Sequence, residues 1–267
     1  MSESRTVFDI DADAGVRASS EDGVLTVILD RPDVGNALDA PMMAALGSLW
    51  SQVAGSRDIR CIVLTGEGRF FCTGADASML ADDRGGGDTA AEELRFLPGA
   101  VVSVPVITAV NGTCAGGGLH FVADADIVIA SDRARFLDPH VSMGQVSALE
   151  PLHLRLRMRP DRLARMVLLG RHEVLDAATA QESGLVSEVV RHEDLSARAA
   201  ELAAAIGEGS PEAVRLSRRV LRGFEEDLIR IHMDLGWELI RRHWSHPDST
   251  EGPVAFQEKR APRWELS

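Results

Sequence analysis

Val24-Leu25-Thr26-Val27-Ile28-Leu29 is an apolar, β-branched run that stops at Arg31-Pro32, which predicts a strand entering a loop. Asp39 precedes Met42, Met43, Leu46, Leu49, Trp50 and Val53, apolar positions at helical spacing behind a capping side chain. Ile62-Val63-Leu64 reads as a buried strand ending at Gly66-Glu67-Gly68. Residues 104–110 and 126–130 read as two more strands, and Gly116-Gly117-Gly118 opens a helical stretch between them that runs to Asp124. Strand, glycine-rich turn, helix, strand is the repeat of a parallel sheet with crossover helices, so the expected class is α/β.

The pattern changes near residue 194. Segments 195–206, 211–224 and 228–244 carry helical periodicity without a strand signal, and Pro211 behind Ser210 looks like a first helical residue behind its cap. These features divide the chain into an α/β core over residues 1–196 and a helical region over 197–267. Arg84 to Asp88, rich in glycine, reads as a loop.

Composition narrows the function. The chain has 267 residues and a formal net charge of −13, so it presents no global positive field to collect nucleic acid or an anionic membrane. Lys259 is the sole lysine among 28 basic residues. An anion site must therefore use Arg, backbone N–H groups, or that one Lys. The three cysteines, Cys61, Cys72 and Cys114, are scattered and lack metal-type spacing, which points to a reducing compartment. No basic flank followed by an apolar run marks the N-terminus, and no stretch nears the about 18 apolar residues of a spanning helix. The expected location is cytoplasmic.

Five ordered segments resemble the enoyl-CoA hydratase/isomerase family, the crotonase superfamily. They are Leu29-Asp30-Arg31-Pro32 with Asn36-Ala37-Leu38; Val63-Leu64-Thr65-Gly66 running into Phe71-Cys72-Thr73-Gly74-Ala75-Asp76; Pro105 to Gly112 followed by Ala115-Gly116-Gly117-Gly118; Ala134-Arg135-Phe136 with Pro139; and Glu258-Lys259-Arg260. The resemblance implies a crotonase-like spiral of ββα units and a C-terminal helical region that packs subunits into a homotrimer or a dimer of trimers. Trp237 and Trp244 in that region are expected at subunit contacts. The substrate implied is an acyl-CoA thioester, with coenzyme A as part of the substrate and no separate cofactor or metal.

The resemblance assigns oxyanion-hole donors to the backbone N–H groups of Ala75 and Gly117. Fixed donors of this kind stabilise charge building on a thioester oxygen, and losing one typically costs about 3 kcal/mol. Ala75 has a small side chain in a loop after a strand, and Gly117 opens a helix where unpaired N–H groups face an anion. Ala37, Leu38, Asp76, Gly116 and Pro139 fall at substrate-binding positions, and Lys259 falls where the family contacts the adenosine–phosphate end of CoA, often across subunits. Where hydratases often carry a second lysine this chain has Ser78, leaving Arg31 or Arg69 as further anchors. Leu80, Leu94, Phe96 and Leu97 are candidates for shaping the acyl pocket.

The chain departs from the family at the two catalytic glutamates, which are His120 and His140. Imidazole titrates near neutrality, so proton transfer is changed rather than deleted. Two histidines facing one pocket favour at most one positive charge. Glu150 is the candidate to fix the tautomer of His140. Most of the remaining histidines, at 153, 172, 192, 232, 243 and 246, read as solvated, with His153 set apart because it follows Pro151-Leu152. Three functions fit: hydration or double-bond isomerisation of an enoyl-CoA by the histidines; hydrolysis of a thioester or β-diketone by His140 and Glu150; or acyl-CoA binding without turnover.

Overall fold

The computed structural model describes residues 8–76, 87–99 and 101–265. β1 (Val16–Glu21) and β2 (Val24–Leu29) pair as an antiparallel hairpin. Its two-residue turn, Asp22-Gly23, has positive φ at both positions, the geometry that suits the right-handed twist of the flanking strands. α1 (Ala40–Gly55) begins where the Asp39 side chain accepts from the Met42 N–H, and it buries Met42, Leu46, Leu49, Trp50 and Val53.

Three passes of the chain then follow one plan, each giving a longer strand to a large sheet and then a short strand to a second sheet. They are β3 (Cys61–Gly66) then β4 (Phe70–Cys72), β5 (Val106–Val110) then β6 (Thr113–Ala115), and β7 (Ile127–Ser131) then β8 (Arg135–Leu137). With β9 (Leu175–Asp176) and β10 (Glu188–Val190), the sheets run β1-β2-β3-β5-β7-β10 and β4-β6-β8-β9. Neighbours are parallel except in the first hairpin and in β8–β9. Each pass is thus a long strand, a short strand and then a helix, the ββα unit that the family resemblance implies, and the short strands make the second sheet.

Helices close the turns: α2 (Ala90–Glu93), α3 (Leu119–Asp124), α4 (Leu149–Arg157), α5 (Pro160–Leu169) and α6 (Ala177–Glu182). The first four residues of β3, Cys61 to Leu64, are continuously apolar and buried. Ile62 and Leu64 enter the main core, while Cys61 and Val63 pack beneath Leu195, Ala199 and Ala203 of α7 (Leu195–Gly207). A strand covered on both faces has no polar side to show. The division at 196/197 falls inside α7.

The two helices expected over 211–224 and 228–244 are one helix, α8 (Pro211–His243). The acidic triplet Glu225-Glu226-Asp227 does not break it: Glu226 and Asp227 are exposed, and Glu226 lies 3.9 Å from Arg222 one turn back. Two buried arginines fasten α8 to the core, Arg218 to Asp126 at 2.7 Å and Arg222 to Asp124 at 2.8 Å. α9 (Asp248–Gln257) then returns across the end of the molecule.

Candidate active site

A cavity of about 380 Å³ opens between the glycine-rich turn, the His140 segment and the C-terminal helices. Leu38, Ala75, Gly116, Gly117, His120, Pro139, His140 and Glu150 all line it.

The Ala75 loop is held by Leu38. The Leu38 N–H donates to the Gly74 carbonyl and the Asp76 N–H donates to the Leu38 carbonyl, each at 2.8 Å. In such a parallel bridge the N–H of the residue between, Ala75, points away from Leu38. Gly74 has φ +95°, and a Cβ there would stand 3.0 Å from Gly117 N, so only glycine brings the two loops this close. Gly117 is the second residue of the Gly116–Gly118 turn, a position whose N–H lacks an intrahelical acceptor. A Cβ on Gly117 would stand 3.6 Å from Ala75 N, which puts the space between the two amides within one methyl group of both.

Asn36 fixes the entry to this loop system. It is fully buried with φ 54°, its Oδ1 accepts from Arg31 N at 2.8 Å, and its amide donates to the Glu67 and Phe70 carbonyls.

On the facing side stand the titratable groups. His120 and Glu150 are buried, with His120 Nε2 3.1 Å from Glu150 Oε1. His120 also meets Phe96 edge to face. His140 Nε2 lies 3.7 Å from the same Glu150 oxygen, and His140 Nδ1 lies 2.6 Å from Asp138 Oδ1. The expected pairing is therefore corrected: Asp138 is the hydrogen-bonded partner of His140, and Glu150 sits between both histidines, closer to His120. Asp138 was legible as an Asx turn, since its carboxylate also accepts the His140 backbone N–H two residues on. Its other oxygen accepts from Ser147 Oγ at 2.5 Å.

Burial alone would lower the His140 pKa, but the Glu150 charge and the Asp138 hydrogen bond outweigh it and raise it to about 9. Burial would raise the Glu150 carboxyl, yet the adjacent His120 and His140 hold it well below the ordinary carboxylate range. His153 lies on α4 and is pushed down to about 4, first by burial, with Asp124 opposing and the His120 and Arg222 charges adding. Among the described residues, no group of three or more His, Cys, Asp or Glu is placed to hold a metal ion.

Other expected residues fall elsewhere. Arg31 is engaged by the Ala37 carbonyl at 2.6 Å, Asp39 at 3.0 Å and Asp76 at 3.3 Å, so it ties loops together rather than facing the cavity. Arg69 lies over the Phe70 ring. Lys259 is exposed just beyond α9, whose Phe256 and Gln257 line the cavity. Leu94 and Phe96 line the cavity, whereas Leu97 packs in the main core; Ser78 and Leu80 lie outside the described residues. Of the other histidines, His172 and His232 are exposed as expected, whereas His192 Nδ1 meets Ser131 Oγ at 3.1 Å and His243 bonds the Gly144 carbonyl.

The sequence reading missed the apolar wall supplied by α8. Trp237 and Trp244, two turns apart, stack edge to face and line the cavity with Ile240. The inner face of α8 covers the site and carries Trp237 into the protomer, where it is buried.

A ββα spiral that sets two backbone amides opposite paired imidazoles and carboxylates defines an acyl-CoA enzyme of the crotonase fold. The sequence pattern of the family described as enoyl-CoA hydratase/isomerase matches residues 19–267, and the chain belongs to that family. It is 33% identical over 258 residues to carnitinyl-CoA dehydratase of Proteus mirabilis, covering 90% of this chain and 94% of that one. It is 34% identical over 253 residues to mevalonyl-coenzyme A hydratase of Aspergillus fumigatus, covering 91% and 92%. An enoyl-CoA hydratase/isomerase structure from Pseudoalteromonas atlantica superposes with TM-score 0.86 at 29% identity, covering 94% of this chain and all of that one. No helix among the described residues is long and apolar enough to cross a membrane.

Proposed function

We propose that the protein adds water reversibly across the double bond of a 2-enoyl-CoA, using histidines where related hydratases use glutamates. The observation that carries this is the division of labour in the cluster. Glu150 stands between the two imidazoles, 3.1 Å from His120 and 3.7 Å from His140, while Asp138 bonds the other nitrogen of His140, so the two rings differ in partners and reach.

The thioester oxygen sits between the Ala75 and Gly117 N–H groups. These stabilise the enolate that forms as oxygen attacks the β-carbon. In its neutral form His120, with Nε2 3.1 Å from Glu150, takes the proton from water at Nδ1. His140 is protonated at neutral pH, with Nδ1–H donated to Asp138. Its Nε2 is beyond hydrogen-bond distance of Glu150 at 3.7 Å, so that N–H is free to protonate the α-carbon. Dehydration runs the same steps backward. With a pKa raised to about 9, His140 is mostly protonated at neutral pH, which favours it as the starting acid of hydration over the starting base that hydrolysis by His140 and Glu150 needs. Ala37, Asp76, Gly116 and Pro139 shape the loops around the thioester, Leu38 packs beside it, and Lys259 meets the phosphates of CoA from the end of α9.

The outer face of α8 supports self-association into the trimer that the family resemblance implies. Leu221, Phe224, Leu228, Ile231 and Leu235 are exposed there at alternating three- and four-residue spacing.

The test is incubation with a panel of short, long and ring-containing 2-enoyl-CoAs, with products resolved by mass. Gain of one water that is lost in a His120→Gln/His140→Gln double variant supports hydration. Free CoA, or binding without turnover, would replace this function with hydrolysis or simple binding.

A further inference from the structure

His140 leads a short turn, His140–Met143, that closes at Gly144 with φ 63°. The Gln145 N–H returns to the His140 carbonyl at 2.8 Å, so the turn moves as one piece with the imidazole. That piece is clamped from the C-terminal helices. His243, the last residue of α8, places Nε2 2.8 Å from the Gly144 carbonyl and so donates to it. The Gln145 side chain donates to the Ser249 carbonyl at 2.8 Å. A Cβ on Gly252 of α9 would stand only 2.0 Å from the Met143 carbonyl, so α9 lies directly against the turn. His243 is itself fixed, stacked on His246 with centroids 5.3 Å apart, while His246 Nδ1 accepts from the Asp248 N–H at 3.2 Å.

We infer that His243 is a positioning residue for His140, holding the turn so that the imidazole keeps its Asp138 bond while Nε2 stays just out of bonding distance of Glu150. This rests on the proposed acid role of His140. The geometry is sensitive because a shift of half an ångström would turn the 3.7 Å approach into a direct bond, which would occupy the proton meant for substrate. Alternatively the turn would relax away and loosen the Asp138 contact. Gly144 has no Cβ and the turn is short, so an N–H from another element that donates to its carbonyl is the simplest means of fixing it.

His243→Gln keeps an N–H near the Nε2 position and His243→Ala removes it. The groups facing His140 are Asp138 and Glu150, with His120 across Glu150; those near His243 are His246 and Asp248. With the full chain and a turned-over enoyl-CoA, His243→Ala is expected to lower kcat by about 10²-fold with little change in KM, the scale of an ångström misplacement. In parallel the His140 ring signal, identified by its loss in His140→Gln, is followed by NMR titration. In His243→Ala its midpoint should move from the wild-type value, and His243→Gln should restore both midpoint and kcat. An unmoved midpoint with wild-type kcat in His243→Ala, or a His243→Gln variant as impaired as His243→Ala, would overturn the inference. If no enoyl-CoA is turned over by the wild type, the hydratase function falls, and the NMR titration alone decides the positioning role.

Discussion

Nδ1 of His140 lies 2.6 Å from Oδ1 of Asp138, a buried carboxylate two residues earlier in the same turn. With Glu150 near Nε2, this bond makes His140 an imidazolium rather than the neutral ring that a solvated histidine presents at neutral pH. Its raised pKa, about 9, places the loss of acid function on the alkaline side. The hydration rate is expected to hold from neutral pH upward and to fall as pH rises through about 9. The same group links to stability. A folded-state pKa above the unfolded value contributes stability present below about pH 6.5 and lost as pH rises through the folded value. Urea midpoints measured from pH 6 to 10 should decline more steeply for wild type than for His140→Gln.

Asp138→Asn tests the partner. The amide removes the charge and the strong acceptor while keeping the shape, so the alkaline limb of the rate profile should move to lower pH. Loss of an oriented acid typically costs 10²–10⁴-fold, and kcat should fall within that range. A profile identical to wild type would remove Asp138 from the site.

Glu150→Gln takes the one negative charge shared by the two imidazoles. His140 should then titrate lower, and His120 should lose the acceptor that fixes its Nε2–H. Because the Glu150 carboxyl is held below its ordinary range, its contribution to stability is present above the unfolded carboxyl pKa and disappears only in strong acid. Melts near neutrality compared with melts at about pH 3 should therefore show the wild-type advantage over Glu150→Gln shrinking with acid.

Two glycine variants separate the cradle from the scaffold. A methyl at Gly117 meets only ordinary contacts, 3.5 Å to Gly74 Cα and 3.5 Å to Leu38 Cδ1, so Gly117→Ala should fold. It fills the space beside the Ala75 amide, and kcat should drop by about 10²–10³-fold. A methyl at Gly118 would lie 2.4 Å from the Cys72 carbonyl, so Gly118→Ala should instead lose thermal stability. Circular dichroism melts with activity distinguish the two.

The outer face of α8 gives a separable outcome. Phe224→Glu with Ile231→Glu should dissociate an oligomer in light scattering while leaving the protomer folded, because both side chains are exposed on it.

Much of the site was readable along the chain because its backbone half is local. Gly74-Ala75-Asp76 and Gly116-Gly117-Gly118 announce themselves by residue type, since close approach of two loops demands missing side chains. Asp39 likewise marks a helix start by chemistry that acts within three residues. The long strands were legible because burial leaves them largely apolar, with only Thr26, Thr65, Thr108 and Ser131 as polar side chains in β2, β3, β5 and β7. The short strands of the second sheet were not, as three residues carry no period. β1 could have been found from Asp22-Gly23, but its alternately exposed Arg17, Ser19 and Glu21 dilute the apolar signal. The side-chain half of the site depends on folding. Nothing in the spacing of 120, 140 and 150 says that Glu150 approaches His120 more closely than His140. The inward turn of Trp237 was hidden for the same reason: periodicity defines a helix face but not what that face covers.

The most direct measurement is hydration in H₂¹⁸O of a 2-enoyl-CoA accepted by the wild type, comparing wild type with His140→Gln by product mass. The mechanism predicts one ¹⁸O in an intact hydroxyacyl-CoA from the wild type, and a rate reduced by about 10²–10⁴-fold in His140→Gln. Label appearing in a free carboxylic acid with release of CoA, or an undiminished hydration rate in His140→Gln, would contradict it.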